Sequence, residues 1–201
     1  YEECEARVFN HEVLPVVLAE LTAKYGVKLL LHSKFADCTV EDGWIREAVF
    51  CGASGLEAVA GKYFIDCSGQ ASLVFAAGLE TMKGGADSPF QLPMSLMFFV
   101  RHLQPGDPLP VIPHDVIEPI ASPEDLPMVS LWPNGLHSNA VKLKVTGGDA
   151  TDTESFTEVE IRARKRMFSI LDYYVRHEHK NWMLDHCSPA GRGGGPSASI
   201  S

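Results

Sequence analysis

The sequence lacks several features that define large classes of protein. It has no apolar run close to the about 20 residues that a membrane-spanning helix needs. Its 17 basic residues are outnumbered by 26 acidic ones, and the resulting net charge of -9 disfavours binding to nucleic-acid phosphates. The first residue is Tyr1, and no signal-peptide pattern follows it. We therefore expect a piece of a longer protein that has no membrane span and no nucleic-acid partner.

Closely spaced cysteine pairs are also missing. A disulfide framework or a zinc site needs such pairs, and no Cys-x-x-Cys occurs here. We expect free thiols, which favour a reducing compartment such as the cytoplasm but leave the localisation open. The five cysteines are Cys4, Cys38, Cys51, Cys67 and Cys187.

The hydrophobic content of 45% is enough for a core, and the first predicted element is a helix over residues 10–25. Asn10 is its expected N-cap and Gly26 its expected stop. The run VKLLLH (27–32) follows directly and predicts a strand buried on both faces, which favours a parallel sheet. The apolar positions of the helix are Val13, Leu14, Val17, Leu18 and Leu21.

A β-meander is predicted next, from three short runs at residues 35–40, 44–51 and 56–60. The breaks between them contain Asp42-Gly43 and the run Gly-Ala-Ser-Gly at 52–55, and both are hairpin signals. The run KYFIDCSG (62–69) then predicts a second buried strand over 62–67. A small-residue helix is expected over 71–77, ended by Gly78.

Prolines are dense in the middle of the chain, which favours loops and short strands there. Strands are predicted over 95–103, 128–132 and 140–145, and a long helix over 153–184. The segment 188–201 (SPAGRGGGPSASIS) has little to bury and is expected to be disordered. The apolar stripe of the long helix comprises Phe156, Val159, Ala163, Met167, Ile170 and Tyr174.

The segment GVKLLLHSKFADCTVEDGWIREAVF, followed by GKYFIDCSGQASLVFAAG, resembles the FAD-dependent oxidoreductases that carry a Gly-Val-x-Leu-Leu-Leu-His-Thr strand. The later PMSLMFFV is similar to that family's entry into its substrate lobe. The resemblance implies FAD as cofactor and hydride transfer between flavin and a small organic substrate. It also implies that the main chain at Phe35 hydrogen-bonds adenine and that Ser68 and Gly69 approach the dinucleotide. Gln70 follows them where the family has an acid.

The pyrophosphate fingerprint Gly-x-Gly-x-x-Gly is absent from all 201 residues. The glycine clusters at 52–55 and 193–195 follow no predicted strand and open no helix, so neither replaces it. In the family this fingerprint lies upstream of the matching segment, and a further FAD-contacting segment lies downstream. We therefore expect the middle part of a flavoenzyme, inactive by itself and binding FAD weakly.

The expected fold is α/β: part of an FAD-binding three-layer sheet with an inserted β-meander, plus a mixed α+β substrate lobe. The expected domains are 1–88 for FAD, 89–187 for the substrate lobe with its long helix, and 188–201 for the tail. No catalytic residue is assigned, because for each polar candidate in the lobe an ordinary surface role is the favoured interpretation. Those candidates are Arg101, His102, His114 and His137.

Other interpretations remain open at this point. The first is a truncated, non-catalytic α/β fragment that binds no cofactor tightly. A second is a small hydrolase, since CSGQ and GASG partly match a nucleophile elbow, although neither completes Gly-x-Ser-x-Gly. A metal site at 177–187 is disfavoured because His177 and His179 are two residues apart on a predicted helix, where ligands need a spacing of three or four.

Overall fold

A computed structural model of the chain describes residues 12–84 and 92–188. These residues fall into two compact units, which divide between Phe64 and Ile65. All strands of the described residues belong to two antiparallel sheets, a three-stranded one in the first unit and a four-stranded one in the second. The chain is therefore mixed α/β, as expected, but the expectation of a parallel sheet is wrong for the described residues.

The first unit begins with helix α1 (Val13–Lys24). Its end is a Schellman motif: Gly26 has φ +66°, its N–H donates to Ala23 O, and the N–H of Val27 donates to Thr22 O. The predicted stop is thus confirmed, whereas the predicted cap Asn10 lies outside the described residues. The predicted apolar stripe of α1 is exposed in the structure.

The predicted buried strand over 27–32 is wrong. These residues form neither helix nor strand, and their apolar side chains are exposed, with Leu31 at 68%. A buried strand needs neighbours that pair with its backbone on both sides. No strand of the described residues pairs with this run, so its hydrophobicity alone does not make it a strand.

The predicted β-meander is confirmed. Its strands are β1 (Lys34–Glu41), β2 (Trp44–Gly52) and β3 (Gly55–Ala60), in the order β1-β2-β3. The first turn has positive φ at both Asp42 and Gly43, as a type I′ hairpin requires. The residues of the turns therefore determine the hairpins of this sheet. Strand β1 is one of its two edge strands.

The second unit opens with an irregular segment and a short helix, α2 (Ser72–Ala76), which ends before Gly78 at φ +77°. The helix is thus confirmed. The predicted buried strand over 62–67 is wrong, because Tyr63 and Ile65 are 89% and 87% exposed and no described strand pairs with this segment.

The four-stranded sheet of the second unit has the order β5-β6-β4-β7. Its centre is β4 (Met94–His102) paired with β6 (Ser138–Val145). The edges are β5 (Val129–Pro133), which follows a 3₁₀ turn at Pro123–Asp125, and β7 (Trp182–Cys187). The three predicted strands of the Pro-rich region are confirmed. Pro133 is the last residue of the edge strand β5, where a missing N–H costs no ladder hydrogen bond.

Helix α3 (Thr153–Arg176) packs on one face of this sheet. Asp152 caps it by accepting a hydrogen bond from the N–H of Ser155 at 2.8 Å. The predicted helix over 153–184 is therefore right in its start and wrong in its end. His179 has φ +51°, and the residues after it form β7 along the edge of β4. A strand edge that is distant in sequence thus outweighs the local helical pattern.

The core of the second unit lies between α3 and the sheet. The predicted stripe of α3 faces it: Val159, Ala163, Met167 and Ile170 are buried, and Phe156 and Tyr174 are half-buried. Alternate residues of the central strands fill the other side of this core. Except for Ser188, the predicted disordered tail lies outside the described residues. The strand residues in the core are Met94, Leu96, Phe98, Val100, Val141, Leu143 and Val145.

Candidate functional site

The turn Ser68–Gly69–Gln70 connects the irregular segment to α2. Gly69 has φ +72°, and a Cβ added to it would meet no heavy atom within 4 Å. Ala71, at φ +53°, also adopts the left-handed conformation. A glycine with this backbone and open space above it can approach a flat ligand through its main chain. The structure therefore brings three of the four predicted cofactor residues into one turn.

The carboxylate of Asp66 holds this turn against α2. It accepts hydrogen bonds from the N–H of Ser68 at 2.8 Å, Leu73 at 2.9 Å and Val74 at 3.2 Å. Burial alone would raise the pKa of Asp66, but the hydrogen bonds from Ser68, Val74 and Leu73 outweigh it and hold that pKa below its usual value. Sequence reasoning missed Asp66, although an aspartate shortly before a small-residue helix is a recognisable capping signal.

The N-terminus of α2 offers no phosphate site. The N–H of Ser72 donates to Ser68 Oγ at 2.9 Å, and the next two N–H groups donate to Asp66. The donors that would hold a phosphate oxygen are thus used inside the turn. The residues present fit a main-chain contact to the adenine part of FAD, and this helix does not fit its pyrophosphate.

Gln70 is tied to the loop that precedes α3. Its Nε2 donates to the carbonyl oxygen of Ala150 at 3.4 Å. In that loop Asp149 forms an ion pair with Lys83 at 2.7 Å and accepts hydrogen bonds from Thr151. The hydrogen bonds from Lys83 and Thr151 lower the pKa of Asp149. The side chain of Gln70 therefore anchors the turn within the second unit.

Phe35, the fourth predicted cofactor residue, lies in the first unit on β1. Its ring contacts Phe50 edge-to-face, with 6.0 Å between the ring centroids. The register passes from Phe35↔Phe50 to Asp37↔Val49, so Ala36 is the extra residue of a β-bulge. Because β1 is an edge strand, main-chain groups along its outer side have no partner among the described strands. This backbone fits the predicted main-chain contact to adenine.

The four polar candidates for catalysis lie at different places in the second unit. Arg101 on β4 forms an ion pair with Asp107, and this contact raises the pKa of the guanidinium and lowers that of the carboxyl. His102 lies next to it at the end of β4, 6.4 Å from His137 between ring centroids. His114 contacts the buried carboxylate of Asp172 at 3.8 Å. The structure therefore groups His102 with His137 and places His114 elsewhere.

No group of three or more His, Cys, Asp or Glu side chains in residues 12–84 and 92–188 could hold a metal ion. In the same residues, no helix is both long and apolar enough to cross a membrane.

Comparison with known proteins gives a family. The family model described as FAD dependent oxidoreductase matches residues 1–188. No curated protein matches the chain. Among solved structures, the chain is similar to a triple mutant of the flavin-dependent brominase Bmp2, with 10% sequence identity and a TM-score of 0.47. That alignment covers 88% of this chain and 45% of the other, so this chain spans less than half of that structure's length.

Proposed function

This chain belongs to the FAD-dependent oxidoreductase family, and we propose that it contributes the adenine side of an FAD site together with a substrate-bearing sheet. FAD is the cofactor of this family. In the proposal, the main chain of the turn Ser68–Gly69–Gln70 in the second unit contacts the adenosine part of the cofactor. The outer edge of β1 at Phe35, in the first unit, offers main-chain hydrogen bonds of the kind that adenine takes. These elements belong to an FAD-binding domain over 1–88 of the three-layer type, and residues 89–187 form the substrate lobe.

The observation that carries the proposal is the open glycine turn. A side chain at position 69 would adopt a strained backbone, and the space above Gly69 is open to a ligand. The hydrogen bonds of Asp66 hold the turn in place without a ligand. The binding free energy of a ligand is therefore not reduced by the entropy cost of ordering this turn. A preorganised, accessible backbone is what close approach to a dinucleotide needs.

The pyrophosphate of FAD is, in this proposal, held by residues outside the 201. Two observations support this division. The sequence contains no Gly-x-Gly-x-x-Gly, and the first N–H groups of α2 are taken by Ser68 and Asp66. Each charge-assisted hydrogen bond to a phosphate contributes about 1.5–3 kcal/mol, so a chain without them binds FAD weakly.

The proposed reaction is hydride transfer between a small organic substrate and flavin. FAD, when bound, supplies the ring that exchanges the hydride. The part of this chain is to bind and orient the substrate on the sheet of the second unit, whose central strands are fixed by α3 on one face. Arg101 carries a positive charge that Asp107 keeps in one orientation, which suits it to positioning rather than to proton transfer.

The proposal implies a longer coding sequence around these 201 residues, and the test compares this chain with the product of that longer sequence. The longer protein should be purified with bound flavin and show the visible flavin absorbance bands. Gly69→Ala in that protein should weaken FAD binding roughly tenfold, because the added Cβ strains the turn and occupies the space of the ligand. Gly78→Ala is the matched control, since Gly78 has φ +77° and equally open space but lies at the far end of α2.

Two results would contradict the proposal. The first is a colourless longer protein that takes up no added FAD, which would favour a non-catalytic fragment. The second is an equal loss of FAD binding in both glycine variants, which would mean that only the stability of α2 matters.

A further inference from the structure

One residue from each strand of the four-stranded sheet forms a row across the face that α3 does not cover. Trp132 pairs with Ala140, Ala140 with Phe99, and Phe99 with His186. Residues paired directly across antiparallel strands point to the same face. The neighbouring residue Phe98 points to the core under α3, so Phe99 and its row point away from it. We refer to Trp132, Phe99 and His186 as the aromatic row.

The aromatic row is preformed and accessible in the second unit. The rings of Phe99 and His186 are stacked, with 4.3 Å between their centroids and 13° between their planes. Trp132 is 38% exposed and Phe99 is half-buried, whereas Ala140 between them is only 1% exposed. The residues of this row that solvent reaches are therefore the aromatic ones, since Ala140 is buried between them.

Positive charge lies beside the row on the same face. Lys142 is two residues from Ala140 on β6, and Lys144 follows two residues further. Within the described residues neither lysine has an ion-pair partner, while the nearby Arg101 is held by Asp107 and Asp185 contacts His186. These two lysines make this face locally positive within the described residues, although the whole chain has a net charge of -9.

From the aromatic row and its flanking lysines we infer that this face binds a planar aromatic anion, such as an aromatic carboxylate. The inference rests on the proposed function in one respect: it takes this ligand as the substrate class of the oxidoreductase. Because one face of Phe99 is covered by His186, a planar ring stacks on the opposite face of Phe99, above Ala140 and towards Trp132, and Lys142 attracts the anionic group. A saturated ring of the same charge lacks the stacking, and a neutral aromatic amide lacks the charge.

The experiment titrates the chain, without flavin, with three probes: naphthoate, naphthamide and cyclohexanecarboxylate. Binding is followed by calorimetry and by quenching of tryptophan fluorescence. Naphthoate should bind with a Kd on the order of 1 mM or lower, about fivefold tighter than naphthamide and about tenfold tighter than cyclohexanecarboxylate. The fluorescence change should disappear in Trp132→Phe, although binding measured by calorimetry remains.

Two substitutions assign the contacts. Lys142→Gln should weaken naphthoate about fivefold and leave naphthamide unchanged, whereas Lys165→Gln on the exposed face of α3 should change neither. Phe99→Leu should weaken both aromatic probes by similar factors. Equal binding of naphthoate and cyclohexanecarboxylate, or an unchanged affinity for naphthoate in Lys142→Gln, would overturn the inference.

The outcome is separate from that of the proposed function, because no flavin is present in these titrations. Failure of naphthoate to bind would overturn this inference while a flavin-bound longer protein would still uphold the proposed function. Binding of naphthoate to a protein whose longer form takes up no FAD would leave a site for aromatic anions that is not part of a flavoenzyme, and would overturn the assignment of this ligand as its substrate.

Discussion

The carboxylate of Asp66 accepts a hydrogen bond from the backbone N–H of Leu73 at 2.9 Å, across seven residues of chain. The same carboxylate accepts from Ser68, so one side chain closes both ends of the turn that carries Gly69. The accessible glycine is thus held by a single charged group. The state of that group should control the stability of the turn and of α2.

Replacement of Asp66 by Asn should make the stability of the protein less dependent on pH in the acidic range. The pKa of Asp66 in the folded protein lies below its ordinary value of 3.8. The stabilisation that its charge provides is therefore present above about pH 4 and is lost as the pH falls through the lowered pKa. We expect the difference in unfolding free energy between the original protein and Asp66→Asn to shrink as the pH is lowered from 7 towards 2.

The control for this comparison is Glu158→Gln, an exposed position on α3. It should show the same pH dependence as the original protein in chemical denaturation. A stability difference for Asp66→Asn that is constant from pH 7 to pH 2 would show that the carboxylate charge does not hold the turn.

Gly148 lies where the loop before α3 packs most tightly. A Cβ at this position would overlap Val159 Cγ2 and would stand 2.7 Å from Met94 Cε. Both neighbours are buried in the core, so they can move only at a cost. Gly148→Ala should therefore destabilise the protein by about 1–3 kcal/mol, measured by chemical denaturation.

Gly52→Ala is the matched control, because its Cβ would approach Ser33 Oγ only to 3.4 Å, an ordinary contact. Val159→Ala should also relieve part of the clash, so that the double variant is less destabilised than the sum of the two single ones. Strict additivity of the two changes would argue against this packing.

The docking of α3 can be tested with the same substitution on its two faces. Ile170 is fully buried, whereas Ile161 on the same helix is 53% exposed. Ile170→Asp places a charge in the core and should cost about 3 kcal/mol or more, which lowers Tm by roughly 10 °C. Ile161→Asp should change stability by no more than about 0.5 kcal/mol. Similar melting curves for the two variants would mean that α3 is not docked.

Local signals account for what could be predicted of the fold. Asp42-Gly43 fixes a hairpin because both positions tolerate positive φ, and Gly26 and Gly78 end their helices for the same reason. Hydrophobicity predicts strands at 27–32 and 62–67, but a strand depends on partners that are distant in sequence. The residues 182–187 show the converse, since pairing with β4 makes them a strand where the local pattern favoured helix.

The same distinction between local signals and pairing of distant strands applies to the candidate site. Ser68 and Gly69 could be named from the sequence because the resemblance to the FAD-dependent oxidoreductases covers them. Asp66 could have been found from its capping position. The aromatic row could not, because its members are far apart in sequence and only the register of four strands aligns Trp132 with Phe99 and His186.

Titration of the 201-residue chain with FAD, adenosine and riboflavin shows whether this chain contacts FAD on its adenine side alone. FAD and adenosine should bind weakly and with Kd values within about threefold of each other, because each missing phosphate hydrogen bond would otherwise add roughly tenfold. Riboflavin, which has no adenine, should not bind. Gly69→Ala should weaken FAD and adenosine alike, and Gly78→Ala should weaken neither. Tight, stoichiometric binding of FAD, or binding of riboflavin without adenosine, would contradict the account.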